Sequence, residues 1–196
     1  MIFEAVRRRG GLSPAGRVLD IGAYDPTIFS NSRGLIAHGW GGVLVEPVPW
    51  HAARLRQFYA TRDDVEILQA AVGPDAGVGR MHVTQDMTST LSAGWRARRA
   101  ASGDLTRYEA EPMLVPLVTP DALLRAAGPF DVALIDAEGM SDSIALDLIA
   151  AARRKSCAPW LVVVEPDDPG ALTAGMIASG YRLLATTENN RIFEQR

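Results

Sequence analysis

Two acidic turns define the chemistry that this chain can attempt. Val18-Leu19-Asp20-Ile21-Gly22-Ala23-Tyr24-Asp25-Pro26 and Val43-Leu44-Val45-Glu46-Pro47 each read as a buried strand running into a sharp turn. The first turn offers a glycine where backbone must approach a ligand, and the second a carboxylate able to hold both hydroxyls of a ribose. This pairing points to a nucleoside-type cofactor. A dinucleotide needs G-x-G-x-x-G, because its pyrophosphate packs against bare backbone and a helix N-terminus. Here Gly22 stands alone, followed by Tyr24, Asp25, Pro26 and Thr27, a poor cradle for two phosphates and an argument against a nicotinamide-dependent oxidoreductase. Asp20 adds a negative charge at the end of the first strand, welcome to a cation and hostile to a pyrophosphate. S-adenosylmethionine has an adenosine, a sulfonium, an ammonium group and no phosphate, and it meets each of these conditions. The competing reading is a plain α/β turn with a surface glutamate.

A second constellation lies in Ile135-Asp136-Ala137-Glu138-Gly139. Two carboxylates two residues apart in an extended turn can point the same way, and their repulsion raises one pKa toward the working pH. That suits a general base acting on a hydroxyl. Glu138 is assigned as the base and Asp136 as a cofactor or acceptor contact; the reverse assignment, or one of them capping the helix that starts near Asp142, stays open. On the cofactor side, Glu46 should accept both ribose hydroxyls, Gly22 and Ala23 should bring backbone to the ligand, and Asp20 should face the ammonium group. Gln69 reads either as a contact to the adenine edge or as a surface amide. Trp95 reads as an aromatic plane for a sugar face or as a core residue. His38, His51 and His82 show no metal-ligand spacing, so no metal is predicted, although His82 is a substitute candidate for the base. Asp167-Asp168, between Pro166 and Pro169, reads as a loop and helix start.

The elements that must position these residues alternate. Strands are predicted at 17–21, 42–46, 65–69, 130–136 and 160–165. Helices are predicted at 1–9, 32–38, 50–60, 119–127, 144–155 and 169–179, and a closing hairpin at 181–186 and 191–195 around Glu188-Asn189-Asn190. Strand-length apolar runs alternating with helical segments imply a largely parallel sheet covered on both faces. Two further strands, at 79–84 and 113–118, bracket a polar, arginine-rich stretch without clear periodicity at 85–112. A gap of that length in a small domain is either functional or disordered; we read it as a lid over an acceptor site.

At 196 residues the chain suits one domain. With 47% hydrophobic and 22% charged residues and a net charge of −3, it is neither a disordered chain nor an evident partner of nucleic acid. Arg7-Arg8-Arg9 and the group Arg96, Arg98 and Arg99 read as solvated helix faces. The single Cys157 excludes an intramolecular disulfide and a cysteine zinc cluster. No run of 18 apolar residues occurs and the N-terminal residues lack a signal-peptide pattern, so a cytoplasmic protein without a membrane span is expected. A homodimer that completes its acceptor pocket with a neighbour's surface is also considered.

Taken together, VLDIGAYDP with Phe29-Ser30-Asn31-Ser32, GWGGVLVEPVP, QAAVG at 69–73, Ser89-Thr90-Leu91, Val118-Thr119-Pro120-Asp121-Ala122-Leu123-Leu124, IDAEG at 135–139 and Asn190-Arg191-Ile192-Phe193 fall in the order found in FkbM-type S-adenosylmethionine-dependent methyltransferases. The chain resembles that family from about residue 17 to 195, and in particular members associated with surface-glycan biosynthesis. The resemblance implies a Rossmann-like class I methyltransferase fold, with a seven-stranded mostly parallel sheet and a C-terminal antiparallel hairpin. It implies S-adenosylmethionine as methyl donor and O-methylation of a sugar in a glycan, glycolipid or secondary metabolite. Asn190 and Arg191 become acceptor-side candidates by the same resemblance. The chain departs from the family at Pro26, where many relatives have a second glycine, and after Gly139, where Met140-Ser141-Asp142 lacks the acidic residue common two positions on. The first bears on how the methionine part of the cofactor is held, and the second leaves the identity of the catalytic carboxylate open. The alternative function is a catalytically silent S-adenosylmethionine-binding fold that serves as a partner or regulatory subunit.

Overall fold

The computed structural model describes residues 2–8, 16–84, 88–101 and 112–196. Its centre is a seven-stranded sheet in the order β3-β2-β1-β7-β8-β10-β9. The strands are β1 (Arg17–Ile21), β2 (Gly41–Val45), β3 (Val65–Leu68), β7 (Val132–Ile135), β8 (Leu161–Val164), β9 (Tyr181–Thr186) and β10 (Arg191–Gln195). β3, β2, β1, β7 and β8 run parallel, and β10 lies antiparallel to both β8 and β9. The fold class and closing hairpin are those read from the sequence.

Strands buried on both faces need apolar residues at every position, and Val-Ala-Leu-Ile of β7 and Leu-Val-Val-Val of β8 supply them. Alternate residues then face opposite layers. Val18, Leu44, Leu134 and Val163 pack with α1 (Ile2–Arg8), α2 (Arg33–Ala37) and α3 (Pro49–Phe58) through Val6, Leu35 and Leu55. Leu19, Val43, Ala133 and Val162 pack on the other side with α5 (Pro120–Ala127), α6 (Ser141–Arg154) and α7 (Pro169–Ala178) through Leu124, Leu148 and Met176. The result is a three-layer α/β/α arrangement.

Local chemistry sets the helix ends. Thr119 Oγ1 accepts from Ala122 N ahead of Pro120, and Asp168 accepts from Gly170 N and Ala171 N ahead of α7. Asp167-Asp168 is therefore the loop and helix start expected from its prolines. Gly39 follows α2 with φ of 90°, the left-handed residue that ends the helix.

The segment between β3 and α5 departs from the expectation. β4 (Ala71–Val72), β5 (Gly77–Met81) and β6 (Met113–Val118) form a separate three-stranded sheet in the order β4-β6-β5. The strand expected at 79–84 starts earlier and stops at Met81; His82 continues only as an isolated bridge to Thr90. The stretch read as aperiodic contains α4 (Ala93–Ala101). Alanine and arginine are strong helix formers, and the half-buried side of α4 is Trp95, Arg96 and Arg99, a face with one apolar residue that a search for hydrophobic periodicity passes over. The rest of the expected lid, 85–87 and 102–111, lies outside the described residues. Among the described residues no helix is long and apolar enough to cross a membrane.

Candidate active site

In a parallel sheet whose strand order reverses, the crevice at the carboxyl ends of the strands on either side of the reversal is the natural ligand site. Here the reversal falls between β1 and β7. A crevice of about 1070 Å³, counting the space open to solvent at its mouth, lies there. Backbone pairing runs one residue beyond the strands: Gly22 N donates to Val45 O, Asp136 N to Ile21 O, Glu165 N to Ile135 O and Glu46 N to Leu68 O. Adjacent strand ends are thereby locked in step. Glu46 follows β2, Asp20 is the penultimate residue of β1, Asp136 follows β7 and Glu165 follows β8, so four neighbouring strands each carry a carboxyl group at or next to their carboxyl end. With Glu138 they put five carboxyl groups around one crevice, and none of the described residues lining it is Lys or Arg.

Gly22 is required twice. Its φ is 83°, and a Cβ there would stand 1.8 Å from the backbone oxygen of Asp136. The turn after β1 must pass directly against the turn after β7, and only glycine permits that approach. Ala23 follows, also lining the crevice, with its N–H on Val45 O at 3.2 Å. Tyr24 has φ of 48° and donates its N–H to Glu46 Oε2 at 2.9 Å, while Val48 N donates to Glu46 Oε1 at 2.8 Å. Both oxygens of Glu46 are thus anchored to backbone and each retains acceptor capacity toward the crevice. The turn continues around Asp25, whose carboxylate accepts from Thr27 N, Thr27 Oγ1 and Ile28 N and pairs with Arg54 at 2.7 Å. Asp25 thus sets the conformation of the Pro26 turn.

Burial dominates the electrostatics. Asp20 is pushed up to about 6 by burial, with Ser32 holding it lower than burial alone would. Its Oδ2 is buried without a hydrogen-bond partner among the described residues. Glu46 is raised to about 7 by burial, against the lowering effect of the Val48 and Tyr24 N–H groups, and Asp20 adds repulsion. Asp136 is raised to about 8, first by burial and then by the neighbouring carboxyl groups of Glu165, Glu138 and Asp20. Glu165 is itself raised by burial, while the neighbouring Asp136 carboxyl and the charge of Arg99 pull it down.

A direct consequence is an unusual dependence of stability on pH. Asp20, Glu46 and Asp136 each bind a proton more tightly folded than unfolded. Their contribution is complete below the ordinary carboxylate range and is lost as pH rises through about 6, 7 and 8. His51, held low by burial, acts in the opposite sense over a narrower span. A tenfold change in proton affinity on folding is worth about 1.4 kcal/mol, so the loss is on the order of several kcal/mol. The ligand-free protein is expected to melt roughly 10 °C lower at pH 8.5 than at pH 5.5. A scanning calorimetry series that is flat or rising over this range rejects the account.

The structure gathers most of the residues singled out in the sequence. Asp20, Gly22, Ala23, Glu46, Asp136 and Glu138 all line the crevice. Gln69 does not: its Oε1 accepts from Arg56 at 3.3 Å. Trp95 also stands outside the lining, packed against Gly139 with the Arg99 guanidinium 5.0 Å over its ring. Asn190 and Arg191 lie in the hairpin, where Asn190 N bonds Thr187 Oγ1, and it is Asn189 that reaches the crevice. His82 is held by Arg96 at 3.1 Å, and His51 stacks near Tyr24 with centroids 4.5 Å apart. Ser141 accepts from Ala137 N at 2.9 Å, so neither Asp136 nor Glu138 is needed to organise the start of α6. Among the described residues, no three of His, Cys, Asp and Glu converge to hold a metal ion.

Sequence reasoning missed Glu165, although a signal was present. Val162-Val163-Val164-Glu165-Pro166 repeats the pattern of Val43-Leu44-Val45-Glu46-Pro47. It also did not assign a role to Ser89-Thr90-Leu91, which line the crevice; Thr90 Oγ1 donates to Glu138 O at 2.5 Å and so ties this segment to the turn after β7.

Comparison with known proteins accords with this geometry. The methyltransferase FkbM domain profile matches residues 20–182. Among solved structures, the methyltransferase FkbM from Methylobacillus flagellatus KT aligns with a TM-score of 0.55 at 14% identity, covering 92% of this chain and 44% of its own. The present chain thus spans less than half the length of that protein. The fibrillarin pre-rRNA processing protein of Methanococcus jannaschii gives 0.48 at 13% identity, covering 94% of this chain and 69% of its own. A TehB-like SAM-dependent methyltransferase from Corynebacterium glutamicum gives 0.47 at 8% identity, covering 100% and 95%. No curated protein sequence matches this chain. The family profile extends from Asp20, at the end of β1, through the β7 turn and into β9, and on that match the chain belongs to the methyltransferase FkbM family.

Proposed function

We propose that this chain is an S-adenosylmethionine-dependent methyltransferase that methylates a hydroxyl on a sugar of a glycan, glycolipid or secondary metabolite. The observation that carries the reading is the buried, unpartnered Oδ2 of Asp20 within a crevice of five carboxyl groups and no Lys or Arg among its described lining. A buried acceptor of this kind calls for a cationic partner, and S-adenosylmethionine supplies both an ammonium and a sulfonium. The residues present therefore fit the group.

When bound, the cofactor supplies an electrophilic methyl group; the chain supplies binding, orientation and a place for the proton. Asp20 is assigned to the ammonium group. Glu46 is assigned to the ribose hydroxyls, each bond to its carboxylate being worth about 1.5 to 3 kcal/mol. The β1 turn, with Gly22 and Ala23, offers backbone. Ser89, Thr90 and Asn189 give the crevice neutral hydrogen-bonding groups suited to a polyhydroxyl acceptor. Glu138, on the turn after β7, takes the acceptor's proton, and Asp136 contacts cofactor or acceptor. Residues 88–101, fastened to Glu138 O through Thr90, support the reading of this region as a cover over the acceptor.

Two measurements test the reading. Calorimetry with S-adenosylhomocysteine should show micromolar binding, and a panel of neutral glycosides should include one that accepts methyl from S-adenosylmethionine. Absence of binding rejects the proposal. Binding without turnover on any acceptor favours the silent, regulatory alternative.

A further inference from the structure

The pairing of β7 with β8 brings together two carboxyl groups that the sequence keeps 29 positions apart. Ile135 is in register with Val164, and Glu165 N donates to Ile135 O at 3.0 Å, so Asp136 and Glu165 stand side by side at the carboxyl edge. Both line the crevice. Two such groups cannot both be ionised at this distance without strong repulsion, and a shared proton removes it.

The surroundings decide where that proton rests. Among the described residues, the charged groups that bear on Asp136 are all carboxyl groups: Glu138 on its own turn, Asp20 from β1 and Glu165 from β8. Glu165 also meets a cation, Arg99 of α4, with Asp167 on its own loop opposing. Arg99 favours charge on Glu165, and the proton is left on Asp136.

We propose that Glu165 is a positioning residue that keeps Asp136 protonated at neutral pH, so that Asp136 serves the site as a neutral carboxyl and Glu138 alone takes the acceptor's proton. This rests on the methyltransferase reading for its purpose, and on the β7 and β8 register for its existence. The number of protons on the Asp136 and Glu165 pair stays at one throughout; the proton released by the hydroxyl goes to Glu138. The high proton affinity of Asp136, about 8, accords with this assignment. Placing the extra proton there lowers the repulsion on Glu138, which can remain the charged member of the turn. Separating two neighbouring carboxyl groups in this way is how a site obtains one neutral acid and one base.

The pair can be tested without any acceptor. In protein labelled at carboxyl carbons, NMR titration of the wild type should show one side chain with a midpoint near 8. That signal should be absent from Asp136→Asn, and in Glu165→Gln it should move down by about one pH unit or more, because the neighbouring charge is gone. A wild type with no carboxyl titrating above about 6, or a midpoint unmoved in Glu165→Gln, overturns the proposal. On a glycoside that turns over, wild-type kcat should fall above pH 8, this fall should shift to lower pH in Glu165→Gln, and the ratio of kcat at pH 9 to pH 7 should return to about one in Asp136→Asn. A profile that still falls in Asp136→Asn also overturns it. If the wild type transfers no methyl group to any glycoside, the proposed activity fails while the titration still decides on the pair.

Discussion

Glu46→Ala is expected to weaken S-adenosylhomocysteine binding at least a hundredfold, to below detection in a calorimetric titration that reads micromolar affinity for the wild type. Two losses combine. The carboxylate assigned to the ribose diol disappears, which removes two charge-assisted bonds and roughly 3 to 6 kcal/mol. The Tyr24 and Val48 N–H groups, which now donate to Oε2 and Oε1, lose their acceptor. Because Tyr24 holds a left-handed φ of 48° with its N–H directed at Glu46, the β1 turn loses a restraint at the point where backbone faces the crevice. Glu46→Gln separates the two losses. It keeps a carbonyl for one N–H and sets an amide N–H against the other. Retention of micromolar binding in Glu46→Ala removes the ribose assignment.

Gly22→Ala is the second large effect, and it acts through the fold as well as the site. The added methyl would lie 1.8 Å from Asp136 O, closer than any real contact, at a φ of 83° that L-residues avoid. A left-handed alanine costs about 1 to 2 kcal/mol and overpacking a further 1 to 3. The melting temperature should fall by roughly 5 to 15 °C. Since the obstruction is the backbone of the β7 turn, relief requires β1 and β7 to separate at their carboxyl ends, which displaces Asp20, Asp136 and Glu138 relative to one another. Cofactor binding should therefore fall even at temperatures where the variant is folded. A variant with wild-type melting and binding shows that the turn relaxes freely and that the close approach has no role.

These two residues also show what could be read from the chain and what could not. Gly22 and Glu46 announce themselves locally, because a D-x-G turn and an apolar run ending in Glu-Pro are features of a few adjacent residues. β2, β7 and β8 were legible for a similar reason, each being a short run without a charged residue, and β1 was legible from Val18, Leu19 and Ile21 ahead of Gly22 although Arg17 and Asp20 interrupt it. The neighbourhood of Asp136 was not legible. Its partner was sought at Glu138, two residues along the chain, whereas Glu165 stands beside it across the sheet, a neighbour that only the register of β7 on β8 supplies. α4 was lost for a different reason, since its half-buried side is mostly arginine and offers Trp95 as its one apolar residue. Gln69 was placed by its position at the end of a strand, Trp95 by the reading of a lid, and Asn190 and Arg191 by the family resemblance; small offsets at strand and turn ends decide which neighbour reaches the crevice. Asn189 does so where Asn190 was expected.

The row of acid groups at the ends of four neighbouring strands has an effect beyond the ligand proposed for it. Fixed negative potential at the mouth of a cleft slows the approach of every anion and hastens that of cations, more so at low ionic strength. Phosphorylated sugars and nucleotide-linked sugars would carry their phosphates into that field without meeting an Arg or Lys among the described lining residues. If the acceptor is the sugar hydroxyl proposed above, the cleft is expected to disfavour acceptors that carry a phosphate into it, and competition between neutral and phosphorylated saccharides at low and high ionic strength measures the effect.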